Sequence, residues 1–203
     1  PNIIVILTDD QTFDTLPSHP AAMPWLQAQI RDPDGSWLWF PNAFISTPLC
    51  CPSRATILSG RYSHHTHVRT NDDGERFDES NTLATWLHDA GYFTGLVGKY
   101  LNRYPFGRGP YVPAGWDRWV AKRNTAATTT YYDYGFVDQG IPFETAHGAG
   151  TYATDLFADK RQTNRLGLLG HHFNLQDILL SPFVRLRRSA WPEAAFARAM
   201  RSL

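Results

Sequence analysis

The sequence predicts an α/β fold: a mostly parallel central sheet flanked by helices. Three observations predict it. Residues 3–7 form a continuous run of β-branched and leucine side chains that stops abruptly at Thr8-Asp9-Asp10-Gln11. Residues 82–90 carry an apolar stripe at helical spacing, and residues 92–97 form a second apolar segment that stops at Gly98-Lys99. A short apolar run bounded by polar stops is the pattern of a strand buried on both faces, and strands alternating with helices build parallel sheets. In such sheets ligands gather at the carboxyl ends of the strands. That rule places Asp9, Asp10 and Lys99 at candidate positions.

Taken in order, a short helix is expected at 24–31, opened by Pro24 with Trp25, Leu26 and Ile30 turned inward. Residues 40–45 are expected to be strand or extended chain leading into Pro48-Leu49-Cys50-Cys51. Residues 52–61 read as a helix beginning near the cysteines: Pro52 suits a first turn, Ala55, Ile57 and Leu58 supply apolar contacts, and Gly60 weakens it. The helix at 82–90 presents Leu83, Trp86, Leu87 and Ala90 on one stripe, with Gly91 as its stop. Residues 131–137 and 141–143, joined by Asp138-Gln139-Gly140, have the form of a hairpin. There is no internal repeat and no low-complexity tract.

Composition narrows the function classes. The chain has 203 residues, of which 42% are hydrophobic and 14% aromatic, enough for one sizeable core and marginal for two. The formal net charge is zero, so the balance makes no case for nucleic acid or an anionic membrane as partner. No run approaches the roughly 18 apolar residues of a membrane span. The zero hides an asymmetry: residues 160–203 carry a net +6 and the first 159 a net −6. A boundary is therefore expected at about residue 160, separating 1–159 from a basic tail. The only cysteines are the neighbours Cys50 and Cys51, which share a peptide bond and are poorly placed to bridge. The chain starts at Pro1 on a strand-like run without a signal-type segment, and a preceding piece is expected to be missing.

Two stretches carry chemistry. Adjacent carboxylates after a buried strand repel each other and need a cation or several donors, so Asp9-Asp10 is a candidate site for a hard divalent metal. On this feature alone, a solvated turn with one Asp capping a helix is an equal reading. In Cys50-Cys51-Pro52-Ser53-Arg54, a cysteine at a helix start sits where a thiolate or bound anion is favoured. Arg54, one turn on, offers a fork suited to a tetrahedral oxyanion. Burial as a small apolar residue is the commoner fate of a cysteine, and that role is expected of Cys51. Lys99 taken alone reads as a surface lysine. His64, His65 and His67 invite a metal reading that the carboxylates make redundant. For His67 a substrate contact and a solvated loop are both open.

The run from Cys50-Cys51-Pro52-Ser53-Arg54 to Ser59-Gly60-Arg61 resembles the signature of the formylglycine-dependent sulfatases. Asp9-Asp10-Gln11 after an apolar strand resembles that family's first metal motif. Gly98-Lys99-Tyr100-Leu101-Asn102, Val112-Pro113-Ala114-Gly115-Trp116 and Tyr131-Tyr132-Asp133-Tyr134 are similar to its glucosamine-6-sulfatase and heparan endosulfatase branch. The resemblance covers roughly residues 1–159, with the motifs in the family's order. It implies an alkaline-phosphatase-like fold, apparently truncated. It also implies hydrolysis of a sulfate ester on a sulfated small molecule or glycan, and an extracytoplasmic location.

By the same resemblance, a formylglycine-generating enzyme oxidises Cys50 to formylglycine. Asp9, Asp10 and the modified Cys50 hold a divalent metal, calcium or magnesium. Arg54 holds the hydrated aldehyde, and Lys99 holds the sulfate. Many sulfatases place a histidine two residues after the lysine, where this chain has Leu101, so the general acid is unassigned. The family's later metal ligands have no counterpart here. Beyond Lys160 the resemblance stops where the charge reverses, and only three of the 19 basic residues are lysines. A truncation or frameshift is expected there. The alternative is a divergent tail in which His171-His172 or the arginines at 185–188 make a surface contact. A phosphonate or phosphodiester hydrolase and a non-catalytic remnant are the competing functions.

Overall fold

The computed structural model describes residues 3–12, 24–32, 42–123 and 134–144, with shorter pieces at 34, 38, 40, 131–132, 152–153, 156 and 178–180. The expected boundary at 160, the His171-His172 pair and the arginines at 185–188 lie outside the described residues.

The apolar run at 3–7 yields strand β1 at its carboxyl end, Ile6–Thr8. Helix α1 spans Pro24–Arg31, as the opening proline predicts. Residues 42–45 form no strand; they are turn and irregular chain, with Phe44 and Ile45 exposed. Helix α2 runs Cys50–Ser59. Pro52 is its third residue, where a missing N–H costs no intrahelical bond. Gly60 ends it in the left-handed region at φ 64°, donating its N–H to the Thr56 carbonyl at 2.8 Å. A short helix α3, Ser63–Thr66, and a 3₁₀ turn, Gly74–Arg76, carry the chain back alongside α2.

Helix α4, Leu83–Asp89, starts with a reciprocal cap: the Thr85 N–H reaches the Thr82 hydroxyl and the Thr82 N–H reaches the Thr85 hydroxyl. Strands β2, Gly95–Gly98, β3, Arg118–Lys122, β4, Gly135–Asp138, and β5, Ile141–Glu144, form one sheet in the order β2-β3-β4-β5. A sixth strand, β6 at Ile178–Leu180, pairs antiparallel with β1 and lies against β2.

The α/β class with flanking helices is as expected. The sheet is mixed: β2 and β3 are parallel, with Gly98 opposite Ala121, and the β3–β4 and β4–β5 pairings are antiparallel. The β4–β5 hairpin closes on Gln139 and Gly140, both at positive φ (49° and 82°). That is the turn chemistry whose twist matches a two-residue hairpin. Phe136 and Phe143 stack as cross-strand partners with centroids 5.2 Å apart.

Strand β3 was not foreseen, because its sequence, Arg-Trp-Val-Ala-Lys, places charged residues at both ends of a buried strand. Arg118 is buried there because its guanidinium pairs with the Asp138 carboxylate on β4.

The sheet separates two apolar layers. On one side Leu96, Trp119, Ala121 and Val137 pack with Cys51, Ala55 and Leu58 of α2 and Ala84 of α4. Trp119 is the hub of this layer, 5.0 Å from the Tyr100 ring and 5.4 Å from the Tyr104 ring, and its indole N–H donates to the Tyr104 hydroxyl at 2.9 Å. On the other side Val120, Tyr134, Phe136 and Ala153 pack with Val97. The alternation along β2 and β3 therefore sends Val97, Val120 and Lys122 to the second face.

Candidate active site

Strand β1 delivers Asp9 and Asp10 at its carboxyl end. Asp10 takes a left-handed conformation, φ 52°, which Asp tolerates better than most residues. One ligand atom from each of Asp9, Asp10 and Cys50 lies within 4.8 Å of the other two. The Cys50 thiol donates to Asp9 Oδ1 at 3.4 Å across 41 residues of sequence. Cys50 is the first residue of α2, so it stands at the positive end of the helix. Its neighbour Cys51 is fully buried, and burial pushes that thiol up to about 11. A thiol so raised stays protonated and unreactive at neutral pH. The Cys51 N–H is held by the Asn71 side-chain oxygen at 3.0 Å.

Two cations meet the same carboxylate. Lys99, just past the end of β2, donates to Asp9 Oδ2 at 2.5 Å. Arg54 Nη2 lies 3.9 Å from Asp9 Oδ1, and its Nη1 donates to the Lys99 carbonyl at 2.8 Å. Arg54 is buried, so it ties β1, α2 and the end of β2 together. Burial by itself raises the Asp9 carboxyl; the Lys99 hydrogen bond and the charges of Lys99 and Arg54 outweigh it and hold Asp9 below its ordinary value. Burial pulls the Arg54 guanidinium down, against the charge of Asp9.

Of the six residues singled out from sequence, the structure brings Asp9, Asp10, Cys50, Arg54 and Lys99 together. His67 stands elsewhere. It takes a left-handed conformation, φ 62°, and lines a cleft of about 200 Å³ with Arg61, His65, Arg76 and Asp78, beside the end of α2 opposite Cys50. Leu101 is fully buried in the core.

Sequence reasoning missed Asn71, which has no local signal, and Lys122. The latter ends the buried run Trp119-Val120-Ala121, a pattern that could have been read as a strand pointing a lysine at the site. It also missed the buried Glu79, which accepts the Tyr100 hydroxyl at 3.0 Å and the Tyr111 hydroxyl at 2.9 Å. Burial raises the Glu79 carboxyl despite these two donors.

A carboxylate pair and a lysine at strand ends meet a cysteine and an arginine from helix α2 around the Asp9 carboxylate. The chain belongs to the sulfatase family: the Sulfatase family model matches residues 1–170. It is 38% identical over 165 residues to the extracellular sulfatase SULF-1 homolog of Drosophila melanogaster, covering 78% of this chain and 14% of that protein. It is 31% identical over 206 residues to the N-acetylglucosamine-6-sulfatase of Homo sapiens, covering 96% of this chain and 35% of that protein. A solved structure of an enzyme in complex with its substrate D-glucosamine-2-N,6-O-disulfate matches with a TM-score of 0.58 and 26% identity, over 81% of this chain and 31% of the other. The chain thus spans about a third or less of the length of these relatives.

Proposed function

We propose that this chain carries the nucleophile-bearing part of a sulfatase that cleaves a sulfate ester on a sugar, with Cys50 converted to formylglycine. The observation that carries the reading is the meeting of Cys50, Asp9, Arg54 and Lys99 around one carboxylate at the start of α2. The sugar is supported by the relatives, one named for N-acetylglucosamine 6-sulfate and one solved with a disulfated glucosamine. The extracellular sulfatase among them supports an extracytoplasmic location.

The donor set fits a divalent cation once Cys50 is converted. A thiol sulfur is a poor ligand for calcium or magnesium, whereas Asp9, Asp10 and an oxygen at residue 50 offer hard donors around one point. Such an ion, when bound, supplies positive charge that polarises the sulfate and favours ionisation of a neighbouring hydroxyl.

In the reaction we infer, the aldehyde at residue 50 is hydrated to a geminal diol. One diol oxygen attacks the sulfate sulfur, the bond from sulfur to the sugar oxygen breaks, and the sugar leaves as an alcohol after gaining a proton. The remaining hydroxyl then loses its proton, the carbon–oxygen bond to sulfate breaks, and the aldehyde is restored. Asp9 Oδ1 accepts the hydrogen bond of the group at residue 50. Arg54 holds that group against the chain, and Lys99 opposes charge growing on the sulfate oxygens. Cys51, buried and raised, takes no part.

Among the described residues three side chains offer donors here, short of the roughly six to eight oxygens calcium requires. The 203-residue chain by itself is therefore expected to turn over weakly or not at all. Co-expression with a formylglycine-generating enzyme, followed by peptide mass spectrometry, should show loss of sulfur at Cys50 and none at Cys51. Conversion at Cys51, or at neither with an active generating enzyme, overturns the reading.

A further inference from the structure

The sheet brings a second lysine to the site. Strands β2 and β3 run parallel with Gly98 opposite Ala121, so the next residues along, Lys99 and Lys122, leave adjacent strands side by side. Neighbouring strands lie about 4.8 Å apart, and like charges placed across a strand pair repel. Asp9 answers for Lys99. Among the described residues the Lys122 ammonium meets no carboxylate; it lies 5.1 Å from the centre of the Tyr131 ring and 5.8 Å from that of Tyr134. Tyr134 is buried and Tyr131 half-exposed, so the cation is walled on one side and open toward solvent on the other.

Burial pulls Lys122 down to about 8; the charge of Lys99 adds to this and that of Asp9 opposes it. Lys122 therefore sits within electrostatic range of both reactive-site partners. Holding a partly desolvated cation beside another cation costs stability. Such a cost at the carboxyl end of a strand marks a group kept for a ligand.

We propose that Lys122 is a substrate-binding residue: its ammonium, backed by the tyrosine rings, binds an oxyanion of the sulfated sugar next to Lys99. This rests on the proposed sulfatase reading. The oxyanion is either the ester sulfate itself or a second acidic group on the same sugar, and both present the same chemistry to an ammonium. An oxyanion between the two strands relieves the repulsion of Lys99 and Lys122 and gives Lys122 a direct ionic partner.

The test uses the unconverted 203-residue chain, which lacks the formylglycine and so cannot turn over, in isothermal titrations with glucosamine 6-sulfate, D-glucosamine-2-N,6-O-disulfate and unsulfated glucosamine. Lys122→Gln should weaken binding of the disulfate by about tenfold, and Lys122→Arg should restore it to within about threefold of the native chain. An equal loss for both sulfated sugars places Lys122 on the 6-sulfate; a loss confined to the disulfate places it on the second group. Circular dichroism and the urea midpoint verify that each variant is folded, which removal of a half-buried charge favours. Affinities for both sulfated sugars that change less than twofold in Lys122→Gln overturn the inference and leave the sulfatase reading standing. A folded native chain that binds neither sulfated sugar better than glucosamine overturns that reading, and the inference with it.

Discussion

Arg54 can be separated into its charge and its stem. Its guanidinium donates to the Lys99 carbonyl at 2.8 Å and faces Asp9 at 3.9 Å, and the residue is only 4% exposed. Arg54→Met keeps most of the apolar stem and removes the charged donor. A hydrogen bond from a charged group contributes about 1.5–3 kcal/mol, and the Lys99 carbonyl left behind loses its partner. Release of a buried guanidinium from its desolvation cost offsets part of this. The net expectation is a loss of about 2 kcal/mol. Arg54→Ala also removes the stem, at about 0.8 kcal/mol per methylene, and leaves a void, so about 4 kcal/mol is expected. Urea titrations followed by tryptophan fluorescence read this directly, since Trp119 is buried in the core that α2 packs against. At about 2 kcal/mol per molar urea the methionine variant should lose about 1 M in midpoint and the alanine variant about twice that. A methionine variant within about 0.5 kcal/mol of the native chain, or more stable, would refute the claim that Arg54 ties the three elements together. It would leave anion binding as the only reason for the arginine.

The remaining expectations concern pH, backbone and metal. Glu79 has its carboxyl raised by burial, so its contribution to stability is fully present below the unfolded-state value of about 4.3 and is lost as pH rises through the folded-state value. Glu79→Gln should flatten that decline in urea midpoints measured from pH 4 to 7; an unchanged difference between the two proteins across the range would contradict it. Gly115 sits at φ 81°, and a Cβ there would meet the Thr85 nitrogen at 2.5 Å. Gly115→Ala should therefore cost more than the roughly 1–3 kcal/mol of a strained backbone alone, and thermal melts that shift by less than a degree would refute the packing. Calcium should raise the melting temperature of the converted chain, by about 1.4 kcal/mol of stability at ten times its dissociation constant. Asp10→Asn should remove most of that rise, and an undiminished rise would place the ion elsewhere.

The locally written parts of this protein were legible before any coordinates. Pro24 opened α1, the apolar stripe at 82–90 marked α4, Pro52 marked the first turn of α2, and Gln139-Gly140 closed the hairpin, because helix starts, periodicity and turns depend on residues a few positions apart. The abrupt polar ends after 3–7 and 92–97 marked strand ends for the same reason. Strand β3 escaped because what makes Arg118 and Lys122 tolerable there is distant: the Asp138 carboxylate on β4 for one, the tyrosine rings of 131 and 134 for the other.

By itself the sequence determined the α/β class, most of the helices and the hairpin, and it singled out Asp9, Asp10, Cys50, Arg54 and Lys99 as candidates. The tertiary structure decided that the described sheet is mixed. It also decided that Asp9 and Lys99, 90 residues apart, share a hydrogen bond, that Lys122 stands beside Lys99, and that His67 turns to a different cleft. Periodicity and turn chemistry are short-range and survive in a bare sequence. Which strands become neighbours, and in what register, depends on burying the layers on both faces of the sheet at once, and no local stretch of residues records that.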